Sequence, residues 1–482
     1  MESIVGRKKE LQMLREYIAS PRSEFIAVYG RRRVGKTFLI RQAVHDAFSF
    51  YVTGVHDGNL SRQLIGFAVA LQKYSHSEEL SVDSDWMFAF NSLERYLEHL
   101  PMGPKVVFID EMPWMDTPKS GFIPALENFW NSWAAQRDDV KLIVCGSATS
   151  WMLNNLIHSR GGLHNRLTHY ISLEPFTLNE CEEYFTGHGF GYSRGEIAEC
   201  YMILGGIPFY LSLMNRQFSL SQNIDRLFFS STAELKDEFV NLYQAIFKKA
   251  SYHIAVVTAL ARKRMGMTRA ELLKATKLAE NGSFSMVLEE LVECGFIRRY
   301  EPYSETTRIN SQKTPKNTLY QLIDFYTLFY FYFIKANIYN DEQFWSTSVN
   351  SPLHNAWAGL AFEMLCLHHV HQIKQALGIA AVQTRICSWR SSADAPNGAQ
   401  IDLLIDRKDK TINICEMKYT TAPFAIDKKY MLELQNKINV FSEETGTRKS
   451  LLLTMITANG LKDGQYSGFP QCVVGLEQLF QA

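Results

Sequence analysis

Residues Phe25–Thr37 read FIAVYGRRRVGKT. The apolar run FIAVY has the length and composition of a strand buried on both faces. It passes directly into Gly30–Thr37, GRRRVGKT, which satisfies GxxxxGK[ST]. Strand, glycine loop and helix start follow in the order a phosphate cradle requires. The glycines let backbone N–H groups of Gly30, Arg31, Arg32, Arg33, Val34, Gly35, Lys36, Thr37 and Phe38 curl around phosphates. Lys36 reaches the β and γ phosphates, the Thr37 hydroxyl binds Mg²⁺, and the following helix adds its positive end.

Working outward, Val106–Glu111 reads VVFIDE. An apolar strand ending in an acidic pair puts both carboxylates at the carboxyl edge of a sheet, where ligands of such sheets bind. Asp110 is expected to hold Mg²⁺ through water, and Glu111 to orient and deprotonate the attacking water. A third strand, in KLIVCGSATS, ends at Ser147. Its hydroxyl either touches the γ-phosphate or the water, or simply starts a loop. Strand patterns alternating with helical ones, such as Phe122–Ala135, give an α/β fold with a parallel sheet covered by helices.

Length and composition bound the rest. At about 150 residues per domain, 482 residues suggest about three domains. Lys plus Arg and Asp plus Glu are 50 each, so any nucleic-acid site is a local patch rather than a property of the whole molecule. With 46% hydrophobic and 21% charged residues, long disorder is excluded. The most apolar stretch, Leu322–Ile334, is too short to span a membrane and carries Asp324. The N-terminus has no signal-peptide core, and the eight cysteines are scattered without a CxxC pair. A cytoplasmic protein with reduced thiols and no membrane association is expected.

Five ordered motifs carry a resemblance: VGRKKEL at the start, GRRRVGKT, FIDE, CGSATSWM, and GGIPFY at Gly205–Tyr210. Together they resemble the archaeal-type ATPases of the AAA+/STAND branch of P-loop NTPases, over roughly the first half of the chain. The resemblance implies ATP as ligand. It implies that Val5, Gly6 and Arg7 line the adenine side, and that Pro208, in a helical lid, packs near the base. It further implies an arginine finger or sensor in SRGGLHNRL, with Arg166 the better match and Arg160 second. A surface ion pair is the alternative for either arginine.

Residues 243–308 read as a helix, two more helices across a tight turn, and a strand, suggesting a winged helix-turn-helix. Thr268 and Glu271 form a T-x-x-E capping box. Phe284, Val287, Leu288 and Leu291 share a core face, while Ser285, Glu289, Glu290 and Glu293 lie opposite. Three glutamates on an exposed helix face oppose entry into the major groove. The segment still holds 11 basic against 7 acidic side chains, among them Arg262, Lys263, Arg264, Arg269, Lys274, Lys277, Arg298, Arg299 and Arg308. DNA contact through helix ends and wing stands beside a scaffold or protein-docking role.

The C-terminal region holds GAQIDLLIDRKDKTINICEMKY. Ile401–Ile405 and Thr411–Met417 read as a hairpin across Asp406–Lys410. Glu416 and Lys418 are two apart on one strand and share a face. Asp402 and Glu416 could hold a divalent cation, with Lys418 steadying hydroxide or phosphoryl charge. Glu363, on an upstream helix, is a third carboxylate, and Gln435 lies on the following helix. The layout resembles the PD-(D/E)xK nuclease superfamily, and beside this ATPase it resembles the domain of unknown function found C-terminal to archaeal-type ATPases. An edge hairpin with solvated charges is the alternative. His368 and His371 are i, i+3 and could share a helix face, but no further ligand pattern accompanies them. The Phe325–Phe333 aromatics, Trp130 and Trp133 read as core.

The expected domains are 1–172 (ATPase core), 173–240 (helical lid), 241–312 (winged helix) and 313–482 (nuclease-like). The expected function is an ATP-hydrolysing protein that controls a Mg²⁺- or Mn²⁺-dependent nuclease-like domain acting on DNA. Two alternatives remain. One is a signalling switch with an inactive nuclease fold, ATP-set oligomerisation and a protein partner. The other is a DNA-reading transcription regulator. A homo-oligomer is compatible with each.

Overall fold

Glu24–Tyr29 (β1), Phe50–Thr53 (β2), Lys105–Asp110 (β3), Val140–Gly146 (β4) and His169–Ser172 (β5) form one sheet in the order β2-β3-β4-β1-β5. Every neighbouring pair is parallel. β3 and β4 are buried along their whole length, which is why they read as unbroken apolar runs. The core beside the sheet is aromatic, with Phe25, Phe50, Phe67, Trp86, Phe90 and Phe129 packed together. Trp130 joins it, whereas Trp133 is only partly buried and donates to Glu98 at 2.9 Å. The expectation that both tryptophans are core is thus half right. A wide π-type turn over Phe129–Trp133 shifts the helical phase, so residues three apart no longer share a face.

These strands belong to the first of two compact units in this computed structural model, Met1–Pro175 and Phe176–Ala482. The described residues are 4–157, 163, 165–247, 249–263, 266–300, 303, 318–392 and 398–481. Arg160, Arg264 and Arg308 fall outside them. No helix among the described residues is long and apolar enough to cross a membrane.

The second unit begins with helices opened by capping boxes at Thr177–Glu180, Ser193–Glu196 and Ser219–Gln222. Pro208 starts a short helix, Pro208–Ser212, after Gly206, whose φ of 64° favours glycine. Next come the helix Ala250–Ala261, the strand Met267–Thr268 (β6) and the helices Arg269–Thr276 and Gly282–Glu293. Ile297–Tyr300 (β7) and Leu319–Leu322 (β8) complete an antiparallel sheet ordered β6-β8-β7, so its last strand lies beyond residue 312. Thr268 and Glu271 form the expected capping box. Phe284, Val287, Leu288 and Leu291 are buried as their spacing predicts. On the other face Glu289 pairs with Arg299 and Glu290 with His253.

Phe325, Tyr326, Leu328, Phe329 and Phe333 are core. The helix Pro352–His368 stops at His369, so His368 and His371 do not share a helix face. His369 is instead the buried histidine of the three. Thr384–Arg390 (β9), Gln400–Arg407 (β10), Thr411–Lys418 (β11), Ser450–Thr457 (β12) and Cys472–Gly475 (β13) form a mixed sheet in the order β13-β12-β11-β10-β9. β10 is antiparallel to both β9 and β11, and β12 and β13 add in parallel beyond β11. The expected hairpin is β10–β11.

Candidate functional site

The loop after β1 is built as its sequence requires. Gly30 has φ 147°, and a Cβ there would lie 2.2 Å from the Leu173 carbonyl oxygen. Gly35, at φ 91°, caps the helix Lys36–Val44 with no side-chain hydrogen bond. That helix end therefore offers free backbone N–H groups and the positive end of its dipole to an anion. Lys36 is buried, its ammonium donating to the carbonyls of Gly30 at 2.9 Å and Arg31 at 3.1 Å. A phosphate in the loop would take over that charge. Val34 turns its side chain into the core, while Phe38 is substantially exposed.

β4 lies between β1 and β3, so its carboxyl end sits between the glycine loop and the acidic pair. Ser147, 2% exposed, points at Glu111: its backbone N–H and hydroxyl both donate to Glu111 Oε2, at 3.0 and 2.8 Å. Glu111 has φ 46°, a left-handed conformation unusual for glutamate and the kind of backbone strain that clusters at functional sites. Thr37 Oγ1 donates to Asp110 Oδ2 at 2.9 Å. The other oxygen, Oδ1, faces the Cys145 thiol. Burial first, and then the Asp110 charge, push that thiol well above its usual range, so it stays protonated and able to donate. Tyr51 on β2 approaches Asp110 Oδ2 at 3.4 Å, with Thr53 Oγ1 donating to its hydroxyl at 3.0 Å. Sequence reasoning reads Cys145 only as one of the buried, reduced thiols and misses Tyr51 and Thr53. The register Thr53↔Asp110 across β2 and β3 brings the last two there.

The donor set fits Mg²⁺. A hydroxyl and a carboxylate, both hard oxygen donors, already touch each other at the loop's mouth. Arg7 starts the helix Lys8–Ile18 at φ 54°, is 6% exposed, and donates to the Glu174 carbonyl. Gly6, at φ 60°, precedes it. Arg166 is exposed just before β5. Pro208 lies in the second unit.

In the second unit, Glu416 and Lys418 share a face of β11 as expected, 3.3 Å apart, while Cys415 and Met417, which alternate with them, are buried. Glu416 also accepts from Lys437 at 2.7 Å and from the Tyr430 hydroxyl at 2.8 Å. Burial would raise the Glu416 carboxyl, but the charges of Lys437 and Lys418 hold it below the usual range. Asp402 accepts from Gln400 at 2.5 Å. The charges of Glu416, Asp402 and Glu363 all favour the charged form of Lys437, and of the three Glu416 is the one in direct contact with it. Gln435 instead donates to Asn439 at 2.9 Å along its own helix. Lys437 and Tyr430 are the residues sequence reasoning missed here. They lie seven apart on the helix Lys428–Thr445, two turns on one face.

The chain is similar to known proteins over a region that includes the first site. The chain is 24% identical over 440 residues to the uncharacterized protein MJECL04 of Methanocaldococcus jannaschii, covering 90% of this chain and 91% of that one. Among solved structures, the Walker-type ATPase PABY2304 of Pyrococcus abyssi is 18% identical with a TM-score of 0.47, covering 67% of this chain and 95% of its own. The ORC2 protein of Aeropyrum pernix, in its ADPNP–ADP complexes, is 11% identical with a TM-score of 0.35, covering 67% and 91%. Residues 4–214 match the family model described as an ATPase domain predominantly from Archaea.

Proposed function

We propose that the protein hydrolyses ATP at the Gly30–Thr37 loop and couples its nucleotide state to a nuclease-like C-terminal domain with DNA as substrate. The observation that supports the ATPase reading is the pair of contacts Thr37–Asp110 and Ser147–Glu111 at one sheet edge, the first suited to hold a metal and the second to steady a water-activating carboxylate. Lys36 and the helix end bind the β and γ phosphates. Glu111 takes the proton of the attacking water, and Ser147 aims it. Thr37 and Asp110 would hold Mg²⁺, which supplies charge neutralisation on the phosphates. Gly6 and Arg7 are assigned to the adenine side, Pro208 to the lid, and Arg166 to the finger or sensor.

In this reading, residues 1–172 are the ATPase core, 173–240 the lid, 241–312 together with β8 at Leu319–Leu322 a winged helix, and the rest of 313–482 the nuclease-like domain. The helix–strand–helix–helix–hairpin order of the second unit supports the winged helix. The antiparallel β9–β10–β11 meander continued by parallel β12 supports the nuclease-like fold. Glu363, Asp402, Glu416 and Lys418 are its candidate site, with Mg²⁺ or Mn²⁺ as the ion that the resemblance implies. The protein is assigned to the cytoplasm, with homo-oligomerisation compatible. The engagement of Glu416 by Lys437, Lys418 and Tyr430 favours a second reading, a nucleotide-driven switch whose nuclease fold is silent.

Nicking of supercoiled DNA with Mg²⁺ or Mn²⁺, with and without ATP, distinguishes them. The first reading expects nicking that Asp402→Asn abolishes and that ATP alters only when Lys36 is intact. Intact ATP hydrolysis with no nicking under any condition rejects it in favour of the second.

A further inference from the structure

The paired residues Leu403 and Cys415 set the register of β10 against β11. One step further, the same register puts Asp402 across from Glu416. Carboxylates directly opposite on one face repel and need a positive charge beside them. The nuclease-like resemblance gives that task to a divalent cation. The residues do not fit such an ion as they stand. Among the described residues, no three His, Cys, Asp or Glu side chains are grouped to hold a metal. Both Glu416 oxygens are engaged: Oε2 by the Lys437 ammonium at 2.7 Å, and Oε1 by the Tyr430 hydroxyl at 2.8 Å and Lys418 at 3.3 Å. Lys437 is not a surface residue reaching in by chance. Its side chain is 27% exposed and Glu416's is 13% exposed. It rises from the same helix face as Tyr430, whose ring also lies 5.0 Å from the Lys418 ammonium.

We propose that Lys437 is the resident cation of this site, a lock that excludes divalent metal while it is docked on Glu416. The inference rests on reading the C-terminal domain as nuclease-like, and it names what keeps that site closed. A metal would have to compete with an ammonium tethered by the fold, so the native chain binds metal poorly here for as long as Lys437 stays docked on Glu416. Replacing Lys437 by a neutral side chain of similar length leaves Glu416 Oε2 without its ammonium and opens the pocket to a cation.

The test is direct Mn²⁺ binding, measured by the electron paramagnetic resonance of free Mn²⁺. It uses the full chain without nucleotide in an Asp110→Asn background, which silences the metal position of the ATP site. Lys437→Met is expected to bind Mn²⁺ tighter than the background by roughly tenfold or more. Adding Asp402→Asn should erase the gain. Lys437→Arg, which keeps the charge, should behave as the background does. Should Lys437→Met fail to fold, as read by circular dichroism, Lys437→Gln serves with the same expectation. Equal Mn²⁺ affinity in the neutral variant and the background overturns the lock, as does a gain that survives Asp402→Asn. Tight Mn²⁺ binding by Lys437→Met without DNA nicking leaves the lock standing and rejects the nuclease reading instead.

Discussion

His369 makes the second unit lose stability in a defined pH window. Its ring is 1% exposed between two helices. Nε2 accepts the Leu178 backbone N–H at 3.0 Å, so the proton must sit on Nδ1, which donates to the Leu365 carbonyl at 2.9 Å. A second proton would face an N–H donor and put a charge in the core. Burial accordingly pulls the ring from 6.5 down to about 4, only partly opposed by the Leu365 carbonyl. The folded value lies below the unfolded one, so the contribution is complete above pH 6.5 and is lost as pH falls toward 4. At about 1.4 kcal/mol per unit, the loss between pH 7.5 and pH 5 is about 2 kcal/mol. His369→Gln cannot titrate there. Urea unfolding of both proteins across that range should show the wild-type advantage shrinking by about 2 kcal/mol on acidification. A gap that stays constant with pH would refute the reasoning.

Gly30→Ala places a methyl group against the Leu173 carbonyl at a φ that disfavours alanine. It should destabilise the first unit by about 1–3 kcal/mol, read as a lower thermal midpoint, and an unchanged midpoint contradicts it. Ser147→Ala leaves Glu111 only the backbone N–H of residue 147. Turnover should fall by roughly tenfold with ATP affinity unchanged, and wild-type turnover would remove Ser147 from the mechanism. Thr37→Ala should raise the Mg²⁺ concentration for half-maximal hydrolysis by roughly tenfold, measured by phosphate release at saturating ATP. No change there argues against the Thr37–Asp110 pair as the metal position.

What the sequence disclosed was local. Phe25–Thr37 carries its own strand, loop and helix start in thirteen consecutive residues, so its geometry needs little from the rest of the chain. The β10–β11 hairpin is equally local. The contacts of Cys145 with Asp110 and Ser147 with Glu111 join positions 35 and 36 residues apart. They depend on β4 inserting between β1 and β3, which is decided by tertiary pairing rather than by any short pattern. β2, four residues long, is too short to show a period. Lys437 escaped notice because a charged residue on a polar helix reads as solvated, and only the register of β11 against that helix reveals Glu416 beneath it. The wide turn at Phe129–Trp133 and the break at His369 misled periodicity for one reason: each shifts the helical phase on which i, i+3 arguments depend.

The central claim is that this sheet edge hydrolyses ATP with Glu111 as base. Single-turnover phosphate release from ATP and Mg²⁺, comparing the wild type with Glu111→Gln, tests it most directly. The account predicts Mg²⁺-dependent release by the wild type, and a Glu111→Gln variant that binds ATP normally but releases phosphate about a hundredfold more slowly or worse. Equal rates in the two proteins, or no release by the wild type, would contradict it.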